Sequence, residues 1–135
     1  FTLNTPSKWK QDIVKLIAEL KSKFPKAFLV FCNMPPIKEF PAFTPLIKFT
    51  IGNLVEILGE ELHKITKDDP QVFYYSKKIT LADWLDHLEV EAKASDFFSD
   101  GIHPSKLTYQ TWAIDLARTI QRSEKTAISF PFKEA

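Results

Sequence analysis

The sequence is short of several things, and each shortage excludes something. Its only cysteine is Cys32, so no disulfide can form within the chain and the redox compartment stays open. It has three glycines, few for an enzyme built on loops. Gly52 and Gly59 fall in helical patterns, which leaves Gly101 as the one glycine in a candidate functional loop. No apolar run is long enough to span a bilayer. Neither sign of charge dominates: 18 basic residues stand against 17 acidic ones, with no long run of either. There is thus no electrostatic case for nucleic acid or for an anionic membrane surface. No repeat and no low-complexity segment is visible. His63 and His87 lie in helical segments with no partner ligands at metal spacing, so neither a metal site nor a cofactor is expected. The opening FTLNTPSKW has neither a methionine nor a signal-peptide pattern, which leaves the localisation unassigned.

What remains is an ordinary globular composition on 135 residues, enough for one domain with a real core and too few for two. Thr5-Pro6 reads as a helix cap followed by proline at the first helical position. Trp9, Ile13, Leu16, Ile17, Leu20 and Phe24 then recur at helical spacing, and Pro25 ends the run. AFLVFCN, Ala27 to Asn33, is continuously apolar and too short for a typical helix. It predicts a strand buried on both faces, as in the middle of a parallel sheet, with Cys32 in the core. A proline-rich loop, MPPIKEFPAF, follows.

Thr44-Pro45 repeats the cap-plus-proline signal, and Leu46, Phe49, Leu54, Leu58, Leu62 and Ile65 predict a second amphipathic helix ending near KDDP. Val72 to Tyr75 reads as a second strand, and Thr80 as the cap of a short helix from Leu81 to about Ala92 with Leu81, Trp84, Leu85 and Leu88 inward. Tyr109, Trp112, Ala113, Leu116, Ala117 and Ile120 mark a last helix, and the tail SFPFKEA looks irregular. Strand, crossover helix and strand predict a right-handed βαβ unit in a layered α/β domain. Two strands are too few to bury AFLVFCN on both faces and both edges, so the chain reads as part of a larger sheet.

The stretch SDGIHPSKLTYQTW, Ser99 to Trp112, places Asp100 three residues before His103. A serine hydroxyl needs a base whose pKa lies near the working pH, and histidine supplies it. A carboxylate on the other ring nitrogen fixes the tautomer and stabilises the imidazolium. Gly101 permits the tight turn that would bring the two together, and Pro104 is expected to fix the chain and start the helix. The same residues would serve equally as a turn closed by Asp100 and a helix capped by Ser105.

DGIHPS followed by a helix carrying Tyr109 and Trp112 resembles the last block of the SGNH (GDSL-type) hydrolases. FLVFCNMPPIKEFPAF resembles that family's strand and following loop, and TPSKWKQDIVKLIAELKSKFPKA the helix before it. The likeness runs from about Thr5 to Ile120. It implies a three-layer α/β/α, flavodoxin-like domain with a parallel sheet, acting as a serine esterase or lipase on small-molecule or lipid carboxylic esters. His103 would be the general base and Asp100 its partner. Asn33, Pro35, Pro36, Phe40 and Phe43 would border the acyl or alcohol pocket, although Asn33 would equally form a turn and the loop would equally be a rigid connection.

The family also needs a Gly-Asp-Ser block, a glycine and a Gly-x-Asn-Asp block for the nucleophile and the oxyanion hole, and none of the three occurs here. Ile51-Gly52-Asn53-Leu54 lies in a helical pattern and lacks the aspartate. Residues 1–135 therefore read as the C-terminal portion of a single SGNH-like domain, incomplete by itself, whose partner is the missing N-terminal portion. Ester hydrolysis is expected of the complete protein and not of this chain alone, since nucleophile and oxyanion donors are both absent. The alternative is a non-catalytic, SGNH-derived interaction module that pairs through an exposed sheet edge.

Overall fold

Two Thr-Pro pairs open the two longest helices. The computed structural model describes residues 5–34, 37–77, 80–87 and 92–123. The first helix, α1, runs Pro6–Lys23, with the Thr5 hydroxyl accepting from the Lys8 N–H at 3.2 Å. Strand β1 is Leu29–Phe31, and a 3-10 turn spans Ile37–Glu39. Helix α2 runs Pro45–Thr66 behind its Thr44 cap. Strand β2 is Val72–Tyr74, α3 is Leu81–His87, a second 3-10 turn spans Ala94–Phe97, and α4 runs Lys106–Arg122 behind Ser105.

The predicted order of helices and strands is therefore observed, and the chain is of mixed α/β class with a two-stranded parallel sheet. Both strands are shorter than the apolar runs that announce them. Amide side chains explain the ends. Gln71 Nε2 donates to the Ala27 carbonyl at 2.6 Å, ahead of the ladder, and Asn33 Nδ2 donates to the Lys77 carbonyl at 2.9 Å beyond it. Backbone groups there are satisfied without further strand pairing. Helix α3 is described only to His87; the expected continuation over 88–91 and the tail from 124 onward lie outside the described residues.

The register pairs Leu29 with Val72, Val30 with Phe73 and Phe31 with Tyr74. Side chains alternate across a strand, so Leu29, Phe31, Val72 and Tyr74 share one face. Helix α2 covers it: a Cβ at Gly59 would come within 2.8 Å of the Tyr74 hydroxyl. Tyr75 points to the other face, where its hydroxyl donates to Asp115 on α4. The strands thus lie between helices, but unequally. Tyr75 is fully buried, whereas Val30, on the same face of β1, is 38% exposed and Cys32 beside it is exposed. This corrects the expectation that AFLVFCN is buried on both faces with Cys32 in the core. Helix α4 meets the chain at Tyr75, just past the end of β2, and among the described residues β1 pairs with β2 alone.

Two other expectations about faces are corrected. On α2, Leu46 is 70% and Phe49 69% exposed, and Leu54 is exposed as well, while Gly52, Leu62 and Thr66 are buried. The helix is apolar nearly all round, so periodicity could not choose the inward side. On α4 the fully buried positions are Thr108 and Thr111, and Tyr109 is exposed. Each threonine hydroxyl has a carbonyl acceptor, on Phe97 for Thr108 and on Leu107 for Thr111. A satisfied hydroxyl can be buried without penalty.

The main core lies past the strand ends. Ile37, Phe40, Tyr75, Leu81, Trp84, Phe97 and Phe98 form one buried cluster, with Trp112 and Leu116 of α4 packed on it. Trp84 and Trp112 are core residues, as their spacing suggests.

Candidate active site around Asp100 and His103

Phe97 and Phe98 are the anchors of this site. Phe97 stacks on Trp84 with ring centroids 5.5 Å apart, and Phe98 packs against Phe40 at 4.8 Å. Polar contacts secure the same two residues. The Thr108 hydroxyl donates to the Phe97 carbonyl, the Ser105 N–H donates to that carbonyl at 2.9 Å, and the Ser105 hydroxyl donates to the Asp96 carbonyl at 2.6 Å. From this root the chain makes a closed loop. Phe98 bridges Pro104 in antiparallel fashion, and the Ser99 N–H donates to the His103 carbonyl at 3.0 Å. Pro104 therefore holds the base of the loop instead of starting the helix, which Ser105 caps and Lys106 begins.

At the tip, Gly101 takes φ +84°, a conformation that side chains rarely allow. The turn folds the Asp100 carboxylate over its own backbone. Oδ1 accepts from the N–H groups of Ile102 at 3.0 Å and His103 at 2.8 Å, while Oδ2 stands 2.6 Å from His103 Nδ1. The His103 backbone N–H, its ring and the Ile102 N–H together hold the Asp100 carboxyl well below the usual carboxylate range. Asp100 is ionised at neutral pH, so it accepts from Nδ1–H and leaves Nε2 out of this contact. The pair is open to water, with the His103 side chain 76% and that of Asp100 55% exposed. Ser99 and Ser105, the nearest serines in sequence, spend their hydroxyls on the carbonyls of His103 and Asp96. Among the described residues no hydroxyl is bonded to the His103 ring.

The five pocket candidates separate. Phe40 and Phe43 reach the site: they pack on each other at 5.1 Å, and Phe40 packs on Phe98. Between them, the Ala42 N–H donates to the Gly101 carbonyl at 3.2 Å. Asn33 goes elsewhere. It accepts from the Met34 N–H and the Tyr74 hydroxyl, and it lines a separate cavity against α2. Pro35 and Pro36 lie outside the described residues.

Sequence reasoning missed Phe97, Phe98, Thr108 and Ala42. Two consecutive aromatics just before a polar turn were a usable signal for the first two. Thr108 stands three residues after the helix cap, but nothing in its type distinguishes it from a surface threonine. The Ala42 contact pairs segments about sixty residues apart, and no local pattern encodes it. Among the described residues no group of acidic, histidine or cysteine side chains could hold a metal ion, and no helix is long and apolar enough to cross a membrane. Compared with protein-family models, with curated proteins and with solved structures, the chain matches none.

Proposed function

We propose that Asp100 and His103 are the acid–base half of a Ser-His-Asp triad in an SGNH-type carboxylic ester hydrolase. In this reading residues 1–135 are the C-terminal portion of a three-layer α/β/α domain. The nucleophilic serine and the oxyanion donors come from chain outside them. The observation that carries the reading is the 2.6 Å contact between Asp100 Oδ2 and His103 Nδ1, with Oδ1 already held by two backbone N–H groups. An aspartate that only closed a turn would need Oδ1 alone. Here the second oxygen selects the tautomer that a general base requires.

The chemistry follows from that tautomer. His103 Nε2 takes the proton from the serine hydroxyl as its oxygen bonds to the ester carbonyl, and Asp100 stabilises the imidazolium so formed. The imidazolium then gives that proton to the departing alkoxide, releasing the alcohol and leaving an acyl-serine. Water repeats the cycle: His103 deprotonates it, the hydroxide oxygen bonds to the acyl carbon, and the serine leaves with its proton restored. Phe40 and Phe43 are suited to border an apolar acyl or alcohol group because Ala42, between them, is bonded to the dyad's own turn.

The exposed Val30 and Cys32, and the edge of β1 that has no strand partner among the described residues, favour association with further chain. That suits a completed hydrolase, and it suits equally a non-catalytic module that binds through the sheet edge. Labelling of the full gene product with a fluorophosphonate separates the two. Labelling on a serine outside residues 1–135, abolished by His103→Ala, is the expected result. A folded full-length protein that stays unlabelled would leave only the module.

A further inference from the structure

A concavity lies apart from Asp100 and His103. It has a volume of about 500 Å³ and is enclosed by the ends of the two strands, the Ile37–Glu39 turn and one side of α2. Neither Asp100 nor His103 lines it. Its size falls within the range of small-molecule sites, which are mainly apolar with a few placed polar groups. Met34, Ile37, Val55 and the ring of Tyr74 supply the apolar wall.

Helix α2 is hollowed on this side. Gly52 and Gly59, two of the chain's three glycines, both face the cavity. A Cβ at Gly52 would strike the Lys38 stem at 2.7 Å, and one at Gly59 the Tyr74 hydroxyl at 2.8 Å. Lys38 thereby lies along the helix and pairs with Glu56 at 2.8 Å. That pairing neutralises both charges on the wall. Lys64 is likewise matched, by Glu61 at 2.6 Å. Glu39 and Glu60 stand at the rim and enter no ion pair among the described residues. The lining carries three carboxylates, Glu39, Glu56 and Glu60, against two ammonium groups, Lys38 and Lys64, so its net charge is negative beside an apolar wall, which disfavours an acid head and favours a cationic one. The Tyr74 ring adds a face against which an ammonium can rest.

We infer that this cavity binds a small molecule with an aliphatic or single-ring body and a primary amine head, at a site separate from the Asp100–His103 pair. The inference does not rest on the esterase reading, so His103→Ala leaves binding unchanged.

The test is isothermal titration of the full chain with n-octylamine, n-octanol and octanoate as probes. The expected result is one saturable site, with octylamine about tenfold or more tighter than octanoate and octanol between them. Glu39→Gln with Glu60→Gln brings octylamine down to the octanol value and leaves octanol unchanged. Val55→Trp fills the cavity and abolishes binding of all three probes. Should that variant fail to fold, Met34→Trp, at a half-exposed wall position, takes its place. Octanoate binding as well as octylamine, no saturable site, or unchanged binding in a folded cavity-filled variant would overturn the inference.

Discussion

Ala42 and Gly101 are joined backbone to backbone: the Ala42 N–H donates to the Gly101 carbonyl at 3.2 Å, and a Cβ on Gly101 would lie 3.1 Å from that same nitrogen. The contact ties the Phe-Pro-Ala-Phe turn to the turn that carries Asp100 and His103. It needs a residue at position 101 that has positive φ and no side chain.

Gly101→Ala therefore meets two penalties at once, a strained φ of +84° and a close approach to Ala42. Backbone strain of this kind costs about 1–3 kcal/mol. The expected outcome in chemical denaturation is an unfolding free energy lower by that amount, seen as a lower midpoint at unchanged slope. The amide resonances of both residues 42 and 101 should shift. A variant as stable as the parent would mean that the two turns are not held together.

Asp100→Asn keeps an oxygen for the N–H groups of Ile102 and His103 but replaces Oδ2 by a donor. The His103 tautomer should then reverse, with Nδ1 accepting and Nε2 carrying the proton. Nitrogen chemical shifts of the imidazole read this directly. For the proposed ester hydrolase, a loss of activity of about 10⁴-fold is expected. In the parent, the depressed Asp100 pKa means that the turn's stabilisation is whole above the ordinary carboxylate value of about 3.9 and is lost only as pH falls through the lower folded value. Acid opening of the loop should therefore occur well below pH 4.

Tyr75 responds to alkali. Its ring is fully buried, and its hydroxyl donates to Asp115, which Lys77 also reaches at 3.2 Å. Burial first, and then the Asp115 carboxylate, raise the Tyr75 pKa. An unfolded tyrosine ionises near pH 10, so the stabilisation is complete below about that pH and is lost as pH rises through the folded value. The melting temperature should fall steeply above about pH 10. Tyr75→Phe should remove most of that fall. At pH 7 it should cost about 1.5–3 kcal/mol, the range for a hydrogen bond to a charged group. An identical alkaline profile in the two proteins would refute the role assigned to this bond.

Thr108→Val tests the root of the loop. The substitution keeps the shape of a fully buried side chain and removes the donor to the Phe97 carbonyl, which the Ser105 N–H still serves. A loss of about 1 kcal/mol is expected, together with faster hydrogen exchange at Ser105. Unchanged exchange there would show that Thr108 does not secure the loop.

Much of this arrangement is written locally. Thr5-Pro6 and Thr44-Pro45 announce two helix starts because capping and the fixed φ of proline are properties of adjacent residues. Asp100, Gly101 and His103 close their own turn for the same reason: every bond in it spans at most three residues. The order of helices and strands was legible on this basis, and so was the contact between Asp100 and His103.

Which apolar surface is used depends on contacts between distant segments. Leu46 and Phe49 carry the same signal as Leu62 yet lie exposed, because α2 is apolar nearly all round and its neighbours choose the side. Cys32 lies exposed although it belongs to an apolar run, while Tyr75 is buried with its hydroxyl on Asp115 of α4. Asn33 is held by the Tyr74 hydroxyl and the Lys77 carbonyl, more than forty residues on, and Phe40 packs on Phe98, two residues before Asp100. The elements, and the turn that pairs Asp100 with His103, are set locally, since they depend on neighbours along the chain. Burial and the meeting of distant segments depend on neighbours in space, and those exist only once the chain has folded.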